Sequence, residues 1–81
     1  MSTTLDQLKR GESATITRLT AKGMERRRLL DLGILPGTHL VAELKSPLGD
    51  PVAYRVRDTL IAIRNAQASQ IEIEQMEGNP T

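Results

Sequence analysis

Few residues of this chain could do chemistry, and those few are scattered. The chain has one histidine, His39, and no cysteine, so thiolate zinc sites, disulfides and cysteine nucleophiles are excluded. A typical zinc site takes three or four protein ligands, and Glu43, on the same predicted strand face, would lie roughly 13 Å from His39. His39 therefore predicts at most weak zinc or iron binding, shared between two molecules in a metal-linked homodimer.

The sequence also lacks the residue sets of an enzyme. It contains no glycine-rich phosphate loop, no Ser/His/Asp set and no pair of carboxylates in apolar surroundings. We therefore predict that the protein is not an enzyme and that it has no dedicated cofactor.

The charge pattern argues against a nucleic-acid partner. The net charge is only +1, all 11 Lys and Arg lie at or before Arg64, and Glu72, Glu74 and Glu77 follow. Nucleic-acid binding usually needs a clustered basic stripe, and single strands also need aromatic platforms, whereas Tyr54 is the one aromatic residue.

Length and hydropathy predict one domain in the cytoplasm. An 81-residue chain has room for a single core, and we assign residues 1–75 to it, with residues 76–81 as a disordered tail. No stretch approaches the ~18 consecutive apolar residues of a membrane span. The first six residues lack the basic and apolar regions of a signal peptide. We expect neither export nor membrane insertion.

The run from Leu29 to Gly37 predicts a structural corner between a helix and a strand. Gly33 can take the left-handed conformation that ends a helix, and Ile34 can then fold back on Leu29 in a Schellman motif. Pro36 and Gly37 have the residue types of the central positions of a type II turn, which sends the chain on in an extended conformation.

The helix before this corner is predicted over residues 24–32. Leu29 lies at the middle of its inner face, flanked by Leu30 and Leu32. Met24, Arg27 and Arg28 share the opposite side with Asp31, which could pair with either arginine. These arginines predict a solvated face or, with the exposed methionine, a binding surface.

The rest of the chain predicts a small, strongly bent antiparallel barrel of about five short strands, with the helix inserted after the first. The predicted strands are 13–19, 38–45, 52–57, 60–64 and 71–74. We expect Leu40, Ala42 and Leu44 on one strand face, and 60–64 to be covered on both faces.

Short helical turns are expected after Thr4 and after Asn65, each residue acting as the cap. Residues 46–51 form a hairpin tip, where Leu48 has no core to enter.

Several motifs in order resemble those of the FeoA family, ferrous iron transport protein A. They are Leu5-x-x-Leu8-x-x-Gly11, Arg28-Leu29-Leu30-x-Leu32-Gly33-Ile34-x-Pro36-Gly37, Ser46-Pro47-Leu48-Gly49-Asp50-Pro51-Val52, Leu60-Ile61-Ala62-Ile63-Arg64 and Ala68-x-x-Ile71-x-Ile73. The resemblance covers residues 5–74. Asp58 departs from the glycine that members often carry there, but aspartate tolerates positive φ better than most residues.

This resemblance implies an SH3-like barrel and a cytoplasmic role beside FeoB, the membrane permease with a GTPase domain that imports ferrous iron. Two functions stay open. One is a protein-interaction module that regulates FeoB through Met24, Arg27, Arg28 and a tip including Leu48 and Pro51. The other is a metal-responsive domain, like the SH3-like domains of iron-dependent repressors, in which His39 would bind zinc or iron.

Overall fold

The computed structural model describes residues 3–75, and its framework is a six-stranded antiparallel sheet. The strands are β1 (Thr3–Thr4), β2 (Ser13–Leu19), β3 (His39–Lys45), β4 (Val52–Val56), β5 (Thr59–Ile63) and β6 (Ile71–Gln75). They follow the spatial order β1-β6-β2-β3-β4-β5, an open row with β1 and β5 at its ends. The predicted tail, residues 76–81, lies outside the described residues.

The prediction of a mainly β fold is confirmed, but the sheet has six strands rather than five and is not closed into the predicted barrel, because β1 and β5 do not pair. The additional strand is β1, which pairs Thr3 with Ile73 and Thr4 with Glu72. Two residues are too few to show a period of two, so this strand depends on pairing with a segment nearly 70 positions away and has no local signature.

Three short helical segments accompany the sheet: a 3₁₀ helix (Leu5–Gln7), α1 (Gly23–Asp31) and α2 (Asn65–Ala68). Thr4 is the N-cap residue of the 3₁₀ helix, as predicted, but its hydroxyl donates to the Asp6 carboxylate instead of bonding to the helix backbone. The predicted cap of α2 is wrong, because Asn65 is the first residue of that helix. The cap residue of α2 is Arg64, whose backbone N–H donates to Gln67 Oε1 at 3.2 Å. None of the helices in residues 3–75 has the length and apolar character needed to cross a membrane.

One apolar core fills the bent sheet. Its largest fully buried side chains come from all parts of the chain: Leu5, Ile16, Leu29, Ile34, Leu40, Tyr54, Ile63, Ile71 and Ile73. Tyr54 donates a hydrogen bond from its hydroxyl to the Leu5 carbonyl at 3.4 Å. Burial, with a smaller contribution from the charges of Asp6 and Asp50, raises the pKa of Tyr54 to about 12. The ring therefore stays neutral throughout the physiological range.

The corner after α1 has the geometry of a Schellman motif followed by a tight turn. Gly33 has φ +90°, its N–H donates to the Leu30 carbonyl, and the Ile34 N–H donates to the Leu29 carbonyl, both at 3.0 Å. Gly37 has φ +93°, and the Thr38 N–H donates back to the Leu35 carbonyl at 3.0 Å. Ile34 and Leu29 are both fully buried, so the corner fastens α1 to the core.

The predicted apolar faces are wrong at three leucines. Leu32 is 43% exposed because it lies at the end of α1, where the chain turns away from the core. Leu44 is 50% exposed because a register shift between Ala42 and Leu44 interrupts the alternation of β3. Leu60 is 44% exposed, since β5 is covered on its inner face only.

The turn between β4 and β5 also differs from expectation. It consists of Arg57 and Asp58, with Val56 paired to Thr59 across it. The non-glycine residue with positive φ is Arg57, at +58°, and not Asp58. An arginine here bears the steric cost that left-handed backbone imposes on any residue with a Cβ atom.

Candidate functional site

The outer face of α1 presents the three residues predicted there. Met24 is 77% exposed, Arg27 and Arg28 are exposed, and together with Asp31 they line a shallow depression of about 310 Å³. The opposite side of α1 holds Leu29, which is fully buried, and Leu30, which packs against the core. Burial of this inner side fixes the direction in which Met24 and the two arginines point. An exposed, flexible thioether between cations is well suited to an adaptable protein contact.

Among residues 3–75, no carboxylate forms an ion pair with the arginines of this face. In the part of the chain that the structure describes, the one side-chain ion pair joins Arg55 Nε to Glu43 Oε2 at 2.9 Å. The predicted pairing of Asp31 with Arg27 or Arg28 is therefore wrong, although Asp31 lines the same depression. Both guanidinium groups can bind an acidic partner without first breaking an internal pair.

The hairpin tip between β3 and β4 presents Leu48, which is 94% exposed. The tip closes through two backbone hydrogen bonds: Gly49 N–H donates to the Ser46 carbonyl at 2.8 Å, and Ser46 N–H donates to the Pro51 carbonyl at 3.2 Å. Pro51 is half-buried, so its contribution is to close the loop while Leu48 projects from it.

Two residues that hold the tip in place were missed by the sequence reasoning. Asn65 at the start of α2 donates its backbone N–H to Asp50 Oδ1 at 2.9 Å and its side-chain N–H to the Gly49 carbonyl at 3.3 Å. These contacts join positions 15 and 16 residues apart. Asp50 and Asn65 are both residues that often bond to nearby backbone, which is the one indication that the sequence offers. Each is equally well explained by its own segment, Asp50 by the turn and Asn65 by the start of the helix, so their contact cannot be predicted locally. The two hydrogen bonds from Asn65 hold the loop that presents Leu48.

His39 lies on the outer face of the sheet, away from both of these features. Its Nδ1 lies 2.8 Å from the Thr15 hydroxyl, in a pairing between β2 and β3. Glu43 is engaged with Arg55. Residues 3–75 contain no group of three His, Cys, Asp or Glu placed to hold a metal ion. A metal ion at His39 would need further ligands from a second molecule.

A family model and a curated relative both point to one family. The family model described as the FeoA domain matches residues 3–75. A curated relative from Porphyromonas gingivalis, an Fe(2+) transport protein A/Fe(2+) transporter FeoB fusion protein, is 35% identical over 95% of this chain. This chain spans only 9% of that fusion protein's length.

Two solved structures share the fold over most of their length. The FeoA protein of Chlorobium tepidum is 34% identical with a TM-score of 0.85, over 95% of this chain and 73% of that one. The FeoA of Stenotrophomonas maltophilia, solved in complex with zinc and described as a prokaryotic SH3 domain protein, is 28% identical with a TM-score of 0.76, over 88% of each chain. The SH3-like architecture expected from the sequence is confirmed.

Proposed function

The chain belongs to the FeoA family, and from that premise we propose that it is a cytoplasmic accessory protein of ferrous iron uptake. In this role it binds the FeoB permease and regulates it without catalysing a reaction. The observation that carries this proposal is the fusion relative, in which an Fe(2+) transport protein A is joined to the FeoB transporter in one chain. Covalent linkage keeps two modules at high effective concentration, which benefits modules that bind each other.

The outer face of α1 is the surface that we assign to FeoB. Met24 supplies an apolar anchor, and Arg27 and Arg28 supply cations that form no ion pair within the described range, 3–75. Apolar side chains beside arginine are a common composition for the energetically important part of a protein interface. Leu48, held out by the supported hairpin tip, supplies a second anchor.

Charge reversal tests this assignment. The double variant Arg27→Glu/Arg28→Glu should lose co-purification with FeoB and depress ferrous iron uptake, because two attractive contacts become repulsive. Its unfolding midpoint should stay close to that of the wild type, since both side chains are exposed.

A matched control separates local contact from net charge. Lys9→Glu/Arg18→Glu changes the net charge by the same amount at two exposed positions outside α1. This control should still co-purify with FeoB. Equal loss in both variants would show that overall charge, rather than the α1 face, governs the association.

A metal-responsive role is the second candidate, and the observation that favours it is the zinc complex of the Stenotrophomonas maltophilia relative. In the present chain His39 is the residue that binds transition metals well, and its exposure allows a second molecule to approach. A shared ion would make metal binding and dimer formation depend on each other.

Zinc titration followed by sedimentation distinguishes the two roles. We expect wild-type dimer formation, if induced, to require zinc well above micromolar levels and to vanish in His39→Ala, while iron uptake stays nearly intact. Tight stoichiometric binding by the monomer, or loss of uptake in folded His39→Ala, would favour the metal-responsive role.

A further inference from the structure

A second depression lies on the outer face of the sheet and has a distinct chemical character. It measures about 350 Å³ and lies across β2, β3 and the β4–β5 turn. The polar side chains that line it are Ser13, His39, Arg55 and Arg57. The residues lining the α1 depression include Asp31, whereas those lining this one include no carboxylate. Its lining therefore favours an anion.

Pairing of the strands brings these donors together. Ser13 pairs with Val41, which pairs with Arg55, so that the serine and the arginine lie in one row across three strands. The contact of the Thr15 hydroxyl with Nδ1 of His39 holds the imidazole in place and leaves its other nitrogen available. Arg55 donates its Nε–H to the Glu43 carboxylate, and this contact leaves the terminal nitrogens of the guanidinium available as donors. Arg57 has no ion pair among residues 3–75.

The backbone at Arg57 gives an independent reason to assign this residue a role. Its φ of +58° suits glycine, and a side chain there is strained. Residues held in such conformations cluster at functional sites. An arginine in this position contributes a guanidinium at the edge of the depression at the expense of stability.

We propose that this depression binds a tetrahedral oxyanion of the phosphate class, free or as the terminal group of a larger phosphate compound. Arg57 is the principal cation, Arg55 is a second guanidinium, and Ser13 and His39 are additional hydrogen-bonding groups. These groups come from β2, β3, β4 and the β4–β5 turn, so together they can donate several hydrogen bonds to one phosphate-class anion, which arginine can bind bidentately. This site is separate from the α1 face assigned to FeoB, so the two proposals can fail independently.

The test is a titration of the full chain with inorganic phosphate and with pyrophosphate, followed by backbone amide chemical shifts at constant ionic strength. We expect saturable shifts at Ser13, His39, Arg55 and Arg57, with tighter binding of pyrophosphate. Acetate at the same ionic strength should bind at least several-fold more weakly. Shifts that stay linear with phosphate, or acetate binding of equal strength, would overturn the proposal.

Variants at Arg57 make the result specific. Arg57→Gln and Arg57→Gly should each weaken pyrophosphate binding by about tenfold or more, as expected for loss of a charge-assisted contact. Arg57→Gly should at the same time unfold at higher urea, so poor folding cannot explain its loss of binding. Arg18→Gln removes an exposed arginine that lines neither depression and should bind as the wild type does. Wild-type affinity in Arg57→Gln, or equal loss in Arg18→Gln, would show that no site exists here.

Discussion

Gly33 and Arg57 both hold left-handed backbone, but they carry opposite kinds of residue. Gly33 ends α1 with φ +90°, and Arg57 begins the β4–β5 turn with φ +58°. At the first position the residue type suits the conformation, because glycine has no Cβ atom to strain. At the second position it does not. The corner is therefore a region where residue type and backbone conformation agree, and the turn is one where they do not.

The two regions also differ in what their side chains do. The corner buries Leu29 and Ile34 completely and fixes the direction of α1. The turn buries neither of its residues and places Arg57 in an open depression. Substitutions at the corner should therefore change stability, whereas substitutions at the turn should change binding more than stability.

The largest expected effect is at the inner side of the corner. Leu29→Ala should lower the free energy of unfolding by about 2–5 kcal/mol, because it removes a fully buried leucine. Leu32→Ala, three residues on and 43% exposed, should cost about 1 kcal/mol or less. Urea unfolding of the two variants measures the difference. An equal loss of stability in the two variants would contradict the burial of Leu29 and the exposure of Leu32.

A smaller loss is expected at the end of the helix. Gly33→Val should destabilise by more than about 1 kcal/mol, because a β-branched residue is strained at φ +90°. Apart from Gly33 and its two neighbours in the chain, no atom among residues 3–75 lies within 4 Å of the position that a Cβ would occupy, so the cost comes from the backbone and not from a clash. A urea midpoint equal to that of the wild type would contradict the assignment of a Schellman motif at Gly33.

The smallest effect has the opposite sign. Arg57→Gly should raise the free energy of unfolding by about 0.5–1 kcal/mol, the relief of left-handed strain less the added chain entropy of glycine. Thermal and urea unfolding of Arg57→Gly and Gly33→Val under the same conditions compares the change in stability at the two left-handed positions. Destabilisation by Arg57→Gly would mean that the arginine stabilises the turn.

Much of the fold could be predicted because its signals are local. The alternation in β4 and β6 and the glycine and proline positions of the corner each specify a conformation within a few residues. The predictions are wrong where contacts between residues far apart in the sequence determine the structure. β1 exists through its pairing with β6, Leu44 is displaced by a bulge, and Leu60 is 44% exposed on the outer face of β5.

The candidate sites divide in the same way. Helical spacing alone places Met24, Arg27 and Arg28 on the outer side of α1. Proline and glycine positions predict the hairpin tip and the exposure of Leu48. The contact between Asp50 and Asn65 that holds the tip joins two segments, so no local pattern indicates it. The oxyanion site required the register of three strands and the conformation of Arg57, neither of which can be derived from composition.

The central claim is that the outer face of α1 binds FeoB, and a direct binding measurement tests it. The measurement is the affinity of purified FeoB cytoplasmic domains for the wild type, Arg27→Glu/Arg28→Glu and the control Lys9→Glu/Arg18→Glu, all shown to be folded by circular dichroism. We predict that the α1 variant loses at least about tenfold in affinity while the control binds like the wild type. Wild-type affinity in the α1 variant would contradict the claim and return the two arginines to the role of a solvated helix face.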